Sequence, residues 1–351
     1  MRVRSPSSLQ WYIARCKSPD TTTLTNTYKV MLYIGSSGIE VHKSHSVIDS
    51  SKIQGFQKCP RAYFYKNVLG WRSSGNNIHL GFGNAWHDAL EYLMITGEHS
   101  PANVLRAYEV FCDRWDVEFG MGYYDEHPAK TKAKALLALT SYTAKTDPIK
   151  AEYTEVGGTV PIDTDKVIHF KIDAIAQMPD GRYMVIDHKT TGRDSTSWSE
   201  QWSGTFQVHT YNWALDCLVG YDQSAGVMIN GMVFTKNTQK YKRIFIKRPK
   251  HMTSAYVANA RYWYSQIQWN MDMLATQSPS EDVMACFPVN NKSCNDSFPY
   301  GCQFPGLCTN ISNPLQRLDD MPPGMSKKFW DPSIDDDRIK KRVAIDLGET
   351  L

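Results

Sequence analysis

The sequence predicts a mixed α/β fold in which helices precede and follow a block of strands and a cysteine-rich loop closes the chain. Three observations carry that prediction. Residues 152–190 alternate apolar and polar positions around a Pro179-Asp180-Gly181 turn signal. Helical spacing fills most of 84–145 and 252–276. Four of the eight cysteines, Cys286, Cys294, Cys302 and Cys308, crowd into one short stretch.

Taken in order, residues 1–46 show no sustained periodicity and read as a disordered or extended segment, with Met31 as a second possible start. SSKIQGFQKCPRAYFY, from Ser50, offers a serine cap and apolar spacing at Ile53 and Phe56, which predicts a short helix ending near Pro60. A glycine-rich joint follows. NAWHDALEYL then predicts a helix capped by Asn84, with Trp86, Leu90 and Leu93 on one side. Helix continues over 101–145 with a break around Gly120–Pro128, and the hairpin occupies 152–190. TFQVHTYNWALDCLVG is helical. GVMINGMVFTK and YKRIFIKR are strands joined by NTQK, and 252–276 is an aromatic-rich helix. The stretch after Thr309 reads as a polar tail.

Composition narrows the functional classes. At 42% hydrophobic and 21% charged residues, the 351-residue chain is globular. A net charge of +3 neither requires nor excludes nucleic acid, because a basic groove fits inside a balanced total. No apolar run reaches the ~20 residues of a membrane span, so no membrane partner is expected. The basic start, free of acid until Asp20, lacks the apolar stretch of an export signal and only faintly resembles an organellar transit peptide. The expected location is the cytoplasm of a bacterial or phage-infected cell, with organellar import as the alternative. In a reducing compartment the crowded cysteines read as metal ligands rather than disulfides.

The hairpin holds the chemistry. In MVIDHKTT, alternation puts Asp187 and Lys189 on one face with Val185 behind them, and His188 on the other. On the partner strand, VIHFKIDAIAQ, Asp173 shares a face with Lys171 and Ile175. A three-residue loop centred on Asp180 sets Asp173 directly opposite Asp187, whereas a two-residue loop moves Asp187 off by one. Opposed carboxylates ~4.5–5.5 Å apart at Cβ repel unless a cation sits between them. Hard oxygen ligands suit Mg²⁺ or Mn²⁺. Glu152 and Glu155 are lesser candidates for the same shell, and an edge hairpin with solvent-facing charges is the plain alternative.

The order of these features resembles the PD-(D/E)XK nuclease superfamily, and more narrowly its RecB/AddB-like branch. Asp173, then Asp187 fourteen residues later, then Lys189 match hydrophobic-D…D-x-K-T. Gly83 and His87 in GFGNAWHDALEYL match G-x-x-x-H-x-x-L, and Gln207 and Tyr211 match Q-x-x-x-Y. SKIQGFQKCPRAYFY matches an upstream serine…C-P-R-x-x-x-Y element, so the resemblance spans about residues 50–308. It implies a restriction-endonuclease-like central mixed sheet flanked by helices. It also implies a metal held by His87, Asp173 and Asp187, with Lys189 at the transition state and Gln207 and Tyr211 near the DNA or the active site. The expected nuclease domain covers 47–308, with a helical insertion about 84–145, a catalytic core about 150–276 and the cysteine loop 286–308.

Iron–sulfur members of that branch join three late cysteines to the one in C-P-R. The resemblance therefore implies that Cys59, Cys294, Cys302 and Cys308 hold a [4Fe–4S] cluster. Seven residues separate Cys294 from Cys302, where many members have two, which keeps Cys286 in reserve. A structural Zn²⁺ is the alternative, since thiolates accept both. Lys242, Ile244, Ile246 and Arg248 share a strand face, a candidate phosphate track or simply a charged edge. Tyr262, Trp263, Tyr264 and Trp269 read as core sooner than as base-stacking platforms. The expected activity is a metal-dependent DNA nuclease, an exonuclease on single-stranded or end-bearing DNA. Recombination, repair or phage DNA processing would supply its context, with a helicase or recombination partner. From other classes, the alternatives are a catalytically silent DNA-end-binding module and a zinc-stabilised interaction protein.

Overall fold

The computed structural model describes residues 36–75, 77–120, 127–294, 301–333 and 341–345. The expectation for 1–46 therefore lies mostly outside the described residues, although Ile39 and Val41 are buried. Helix α1 (Ser50–Lys58) is capped by Asp49, whose carboxylate accepts the Lys52 N–H at 2.8 Å, not by the serine the sequence suggested. Pro60 ends it and opens α2 (Pro60–Tyr63), since proline suits a first helical turn. Strand β1 (Trp71–Ser73) follows.

Helix α3 (Ile78–Thr96) starts earlier than predicted. Asn77 caps it, and Asn84 instead donates to Glu118 Oε1 at 2.9 Å. Gly81 and Gly83, read as part of a joint, lie inside the helix. A Cβ on Gly81 would stand 2.4 Å from the Phe119 ring at the end of α4 (Pro101–Phe119), so the glycine permits close helix packing. Helix α5 (Lys132–Lys145) completes this helical layer.

Strands β2 (Ala151–Pro161), β3 (Val167–Gln177) and β4 (Tyr183–Thr191) form an antiparallel meander. Two short turns of helix, α6 (Thr196–Glu200) among them, lead into α7 (Phe206–Val219). Then come β5 (Ser224–Phe234), β6 (Gln239–Ile246) and the long α8 (Lys250–Thr276). The sheet order is β6-β5-β4-β3-β2. Because α7 crosses over between them, β4 and β5 run parallel, which makes the sheet mixed. Both faces are covered. One core joins the sheet to α1, α7 and α8 through Ile53, Val185, Ile229, Leu215 and Ile267. Another packs α3, α4 and α5 around Trp86, Phe111 and Leu139, reaching Met232 and Phe234 of β5. Doubly covered, β5 is buried almost throughout, and a central strand of this kind carries a near-continuous apolar run.

Gly226 marks the register shift at the start of the β4–β5 ladder. Its φ is +92°, and a Cβ there would lie 2.4 Å from the Ile246 carbonyl oxygen. Neither backbone can yield, so Gly226→Ala is expected to lower stability by about 2–4 kcal/mol, read from urea unfolding. An unchanged midpoint would contradict this account of the strand start.

The stretch after Thr309, expected as a polar tail, folds back on the body. Following α9 (Pro305–Asn310), which lies in the cysteine loop, it contributes β7 (Met325–Lys327) paired with β1, and β8 (Lys341–Ala344), a sixth strand parallel to β2. Trp330 Nε1 donates to Asp49 Oδ2 at 3.0 Å, and Phe329 stacks on His42 with centroids 4.3 Å apart. Such short strands, made of polar residues, leave little periodicity to read. Among the described residues no helix is long and apolar enough to cross a membrane.

Candidate active site

The β3–β4 turn has the three-residue form. Met178 N–H donates to Arg182 O at 2.7 Å and Gly181 N–H to Met178 O at 2.8 Å, with Gly181 at φ +86°. Gln177 thus pairs with Tyr183 and Ala174 with Ile186. There the ladder stops, one step short of Asp173 and Asp187. Asp173 Oδ2 accepts the His188 N–H at 2.8 Å, so a carboxylate takes the place of a strand carbonyl.

Strand alternation also breaks at this point. Ile172 and Ile175 both enter the α7 side core, whereas Ala174 and Ala176 enter the opposite one. Regular alternation, which would have put Asp173 and Ile175 on one face, is not kept. Across the β2–β3 ladder the break is matched by Glu155, whose φ is +50°. Backbone in that region is strained for a residue with a side chain, and such strain gathers at functional sites. Glu155 is engaged by Lys171 at 2.6 Å, and Glu152 is exposed.

His87, Asp173, Asp187 and Lys189 are brought together. His87, on α3, places Nδ1 3.3 Å from Asp173 Oδ2. Lys189 Nζ stands 2.8 Å from each oxygen of Asp187, which is 1% exposed. The ammonium donates to Oδ1, and Oδ2 has no hydrogen bond among the described residues. Burial pushes the Asp187 carboxyl above the usual carboxylate range; Lys189 opposes the rise and the charge of Asp173 adds to it. Burial alone would raise Asp173 as well, but His87, His188, Lys189 and the His188 N–H hold it below that range. The two carboxylates are thus driven apart in acidity, as in sites where acid and base roles are divided. Among the described residues no three His, Cys, Asp or Glu side chains converge as a preformed metal cage.

Gln207 and Tyr211 share one face of α7, with Gln207 Nε2 donating to the Tyr211 hydroxyl at 3.0 Å. That hydroxyl donates in turn to the Lys171 carbonyl, two residues before Asp173. Tyr211 is 4% exposed, so the motif braces β3 beside the site. Lys242 lies across β5 from Lys189 in register, through Gly231, and is paired with Asp194 at 2.7 Å. Arg248 lies beyond the end of β6 and influences His209 of α7. Between them Ile246 is buried in the core and Ile244 packs on it, so the four residues do not form an open track. Tyr262 and Trp269, read as core, are 55% and 56% exposed.

Sequence reasoning missed Trp202. The Lys189 ammonium lies over its ring, 5.6 Å from the centroid, a cation–π contact. Trp198 braces Trp202 edge-on at 5.6 Å and fills the space above Gly231, where a Cβ would meet its ring at 2.3 Å. The spacing of the two tryptophans in SWSEQW, one helical turn apart, was the available signal.

Cys59, Cys294, Cys302 and Cys308 are neighbours, although they do not converge as a preformed metal group among the described residues. Cys59 is buried at the α1–α2 junction, and a pocket of about 320 Å³ beside it is lined by Cys302, Lys58, Lys66 and Phe304. The Cys308 thiol is pushed up to about 11, chiefly by burial, with Arg61 opposing the rise and the nearby Cys59, Cys302 and Cys294 adding to it. Cys286 is fully buried and interacts with Arg61 and Glu281 instead. Cys302 Sγ accepts the Phe304 N–H at 3.4 Å. Arg61 Nε donates to Phe287 O at 2.9 Å and Asn290 Nδ2 to Lys58 O at 2.8 Å, so ordinary hydrogen bonds already join the two chain segments.

The family model of the PD-(D/E)XK nuclease superfamily matches residues 50–309. Among curated proteins none matches significantly. A solved structure, the crystal structure of SSO0001, aligns with 73% of this chain and 83% of its own at 14% identity and a TM-score of 0.30, too loose a likeness to bear on function.

Proposed function

This chain belongs to the PD-(D/E)XK nuclease superfamily, and from that premise we propose a Mg²⁺- or Mn²⁺-dependent exonuclease acting on single-stranded or end-bearing DNA. The observation that carries the site assignment is the convergence just past the end of the β3–β4 ladder, where His87 meets Asp173, Lys189 meets Asp187, and the two carboxylates repel each other. The buried Asp187 Oδ2, which has the Lys189 ammonium 2.8 Å away but accepts no hydrogen bond among the described residues, fits a divalent cation, which members of this superfamily typically use. His87, Asp173 and Asp187 would hold it. When bound, it would polarise the scissile phosphate and lower the pKa of a coordinated water. Lys189, released from Asp187, orients the attacking water and stabilises the charge that develops on the phosphorus oxygens. Trp202 keeps its ammonium over the ring while Asp187 is engaged elsewhere.

The four thiols that share one neighbourhood, Cys59, Cys294, Cys302 and Cys308, fit a [4Fe–4S] cluster, as the RecB/AddB-like reading expects. Its contribution would be structural, tying residues 59 and 294–308 together across the catalytic core. The same reading favours a recombination, repair or phage setting with a helicase or recombination partner.

Exonuclease action is tested on matched circular and linear single-stranded DNA with Mg²⁺. The expected result is loss of the linear form while the circle persists. Equal cleavage of both would assign an endonuclease instead.

A further inference from the structure

In the D-x-K stretch His188 looks like a spacer that points away from the site. The fold gives it partners. The register sets His188 of β4 opposite Asn230 of β5, and Asn230 opposite Arg243 of β6. Along this row Arg243 Nη2 donates to the Tyr142 hydroxyl oxygen at 3.2 Å. Asn230 Nδ2 lies 3.0 Å from the same oxygen and 3.1 Å from His188 Nδ1. Tyr142, from α5, covers the row, and His188, Asn230 and Tyr142 are all buried. At the site end the His188 N–H holds Asp173 Oδ2, and the His188 ring meets the His87 ring edge-on at 5.6 Å.

The row has a direction. A guanidinium only donates, so the Tyr142 oxygen accepts from Arg243. With the Asn230 amide turned so that Nδ2 faces His188 and the Tyr142 hydroxyl donates to Oδ1 at 3.4 Å, the NH₂ only donates, so His188 Nδ1 accepts and its proton sits on Nε2. A buried polar group left without a partner costs about 1–3 kcal/mol, and in this row Arg243 Nη2, the Tyr142 hydroxyl, the Asn230 amide and His188 Nδ1 are each engaged.

We propose that His188 and Asn230 are positioning residues of the nuclease site. The row fixes His188 as its Nε2–H tautomer and seats its ring against His87, and so holds the His87–Asp173 pair in the geometry that receives the divalent cation. This rests on the nuclease reading above. Partners one step removed from a metal site typically change activity about 10–100-fold when altered.

The test is nitrogen-15 NMR of the histidine-labelled full chain, without metal or DNA, together with steady-state kinetics. His188 is expected to carry its proton on Nε2. Asn230→Asp, which sets an acceptor against Nδ1, is expected to move that proton to Nδ1 and to lower kcat about 10–100-fold with KM for DNA unchanged. Should that variant not fold, Tyr142→Phe, with Asn230 intact, is expected to lower kcat in the same direction, and the wild-type spectrum stands by itself. A proton on Nδ1 in the wild type, or wild-type kcat in folded Asn230→Asp, overturns the proposal. Wild-type protein that cleaves no DNA overturns the nuclease reading instead, and the tautomer tells the two failures apart.

Discussion

Asp187→Asn is expected to lower metal-dependent DNA cleavage by about 1,000-fold or more, and Lys189→Ala by about 100–1,000-fold, in each case without loss of fold. The reason lies in the geometry. Asp187 is 1% exposed, carries an oxygen with no hydrogen bond among the described residues, and repels Asp173. A carboxylate in that setting destabilises the metal-free protein. Its acidity is weakened by folding, so the folded state binds the proton more tightly than the unfolded one. The contribution of Asp187 to stability of the metal-free chain is therefore greatest below the ordinary carboxylate range and falls as pH rises through its raised value, opposite in sign to that of Asp173. The amide that replaces the carboxyl in Asp187→Asn cannot ionise. Thermal melts at pH 8 should show the Asp187→Asn variant at least as stable as wild type, although it is inactive. A variant that is inactive because it is unfolded would remove the argument that Asp187 serves chemistry rather than packing.

Protein purified without oxygen is expected to be brown, with about four irons and four sulfides per chain, and Cys308→Ser is expected to lose both colour and iron. The clasp would close the chain between Cys59 and the loop from Cys294 to Cys308, with the whole catalytic sheet inside the closure. Cross-links of long loops contribute about 2–5 kcal/mol, so the variant should also unfold earlier in urea. Hydrogen bonds of Arg61 and Asn290 join the same segments, so part of the closure should survive without the metal. Colourless protein with one zinc would replace the cluster and keep the clasp. Wild-type protein with neither metal would remove the clasp altogether.

The sequence was legible where local chemistry decides local structure. A Pro-Asp-Gly turn marks the hairpin and leaves a two- or three-residue loop open; the three-residue form found carries the register to Ala174–Ile186, next to Asp173 and Asp187. It was misleading where a distant contact decides. Gly81 reads as a helix joint because glycine weakens helices, yet here it makes room for the Phe119 ring, which lies 38 positions away. His188 shows the same limit. Alternation correctly turned it away from Lys189, but a single strand cannot reveal that α3 and α5 cover its other face. The break in alternation at Glu155 and Asp173 was hidden too, because positive φ at a glutamate leaves no trace in composition. Trp202 reaches Lys189 only through the turn between β4 and α7, and Lys242 through a register set by Gly231.

The most direct test of the central claim is incubation of end-labelled single- and double-stranded DNA with wild-type and Asp187→Asn protein, with Mg²⁺, with Mn²⁺, and with a chelator. A nuclease site built on Asp173, Asp187, Lys189 and His87 predicts that wild type degrades DNA only when the metal is present and that the variant does not. Undiminished degradation by Asp187→Asn, or wild-type protein that leaves every DNA intact with either metal, would contradict it.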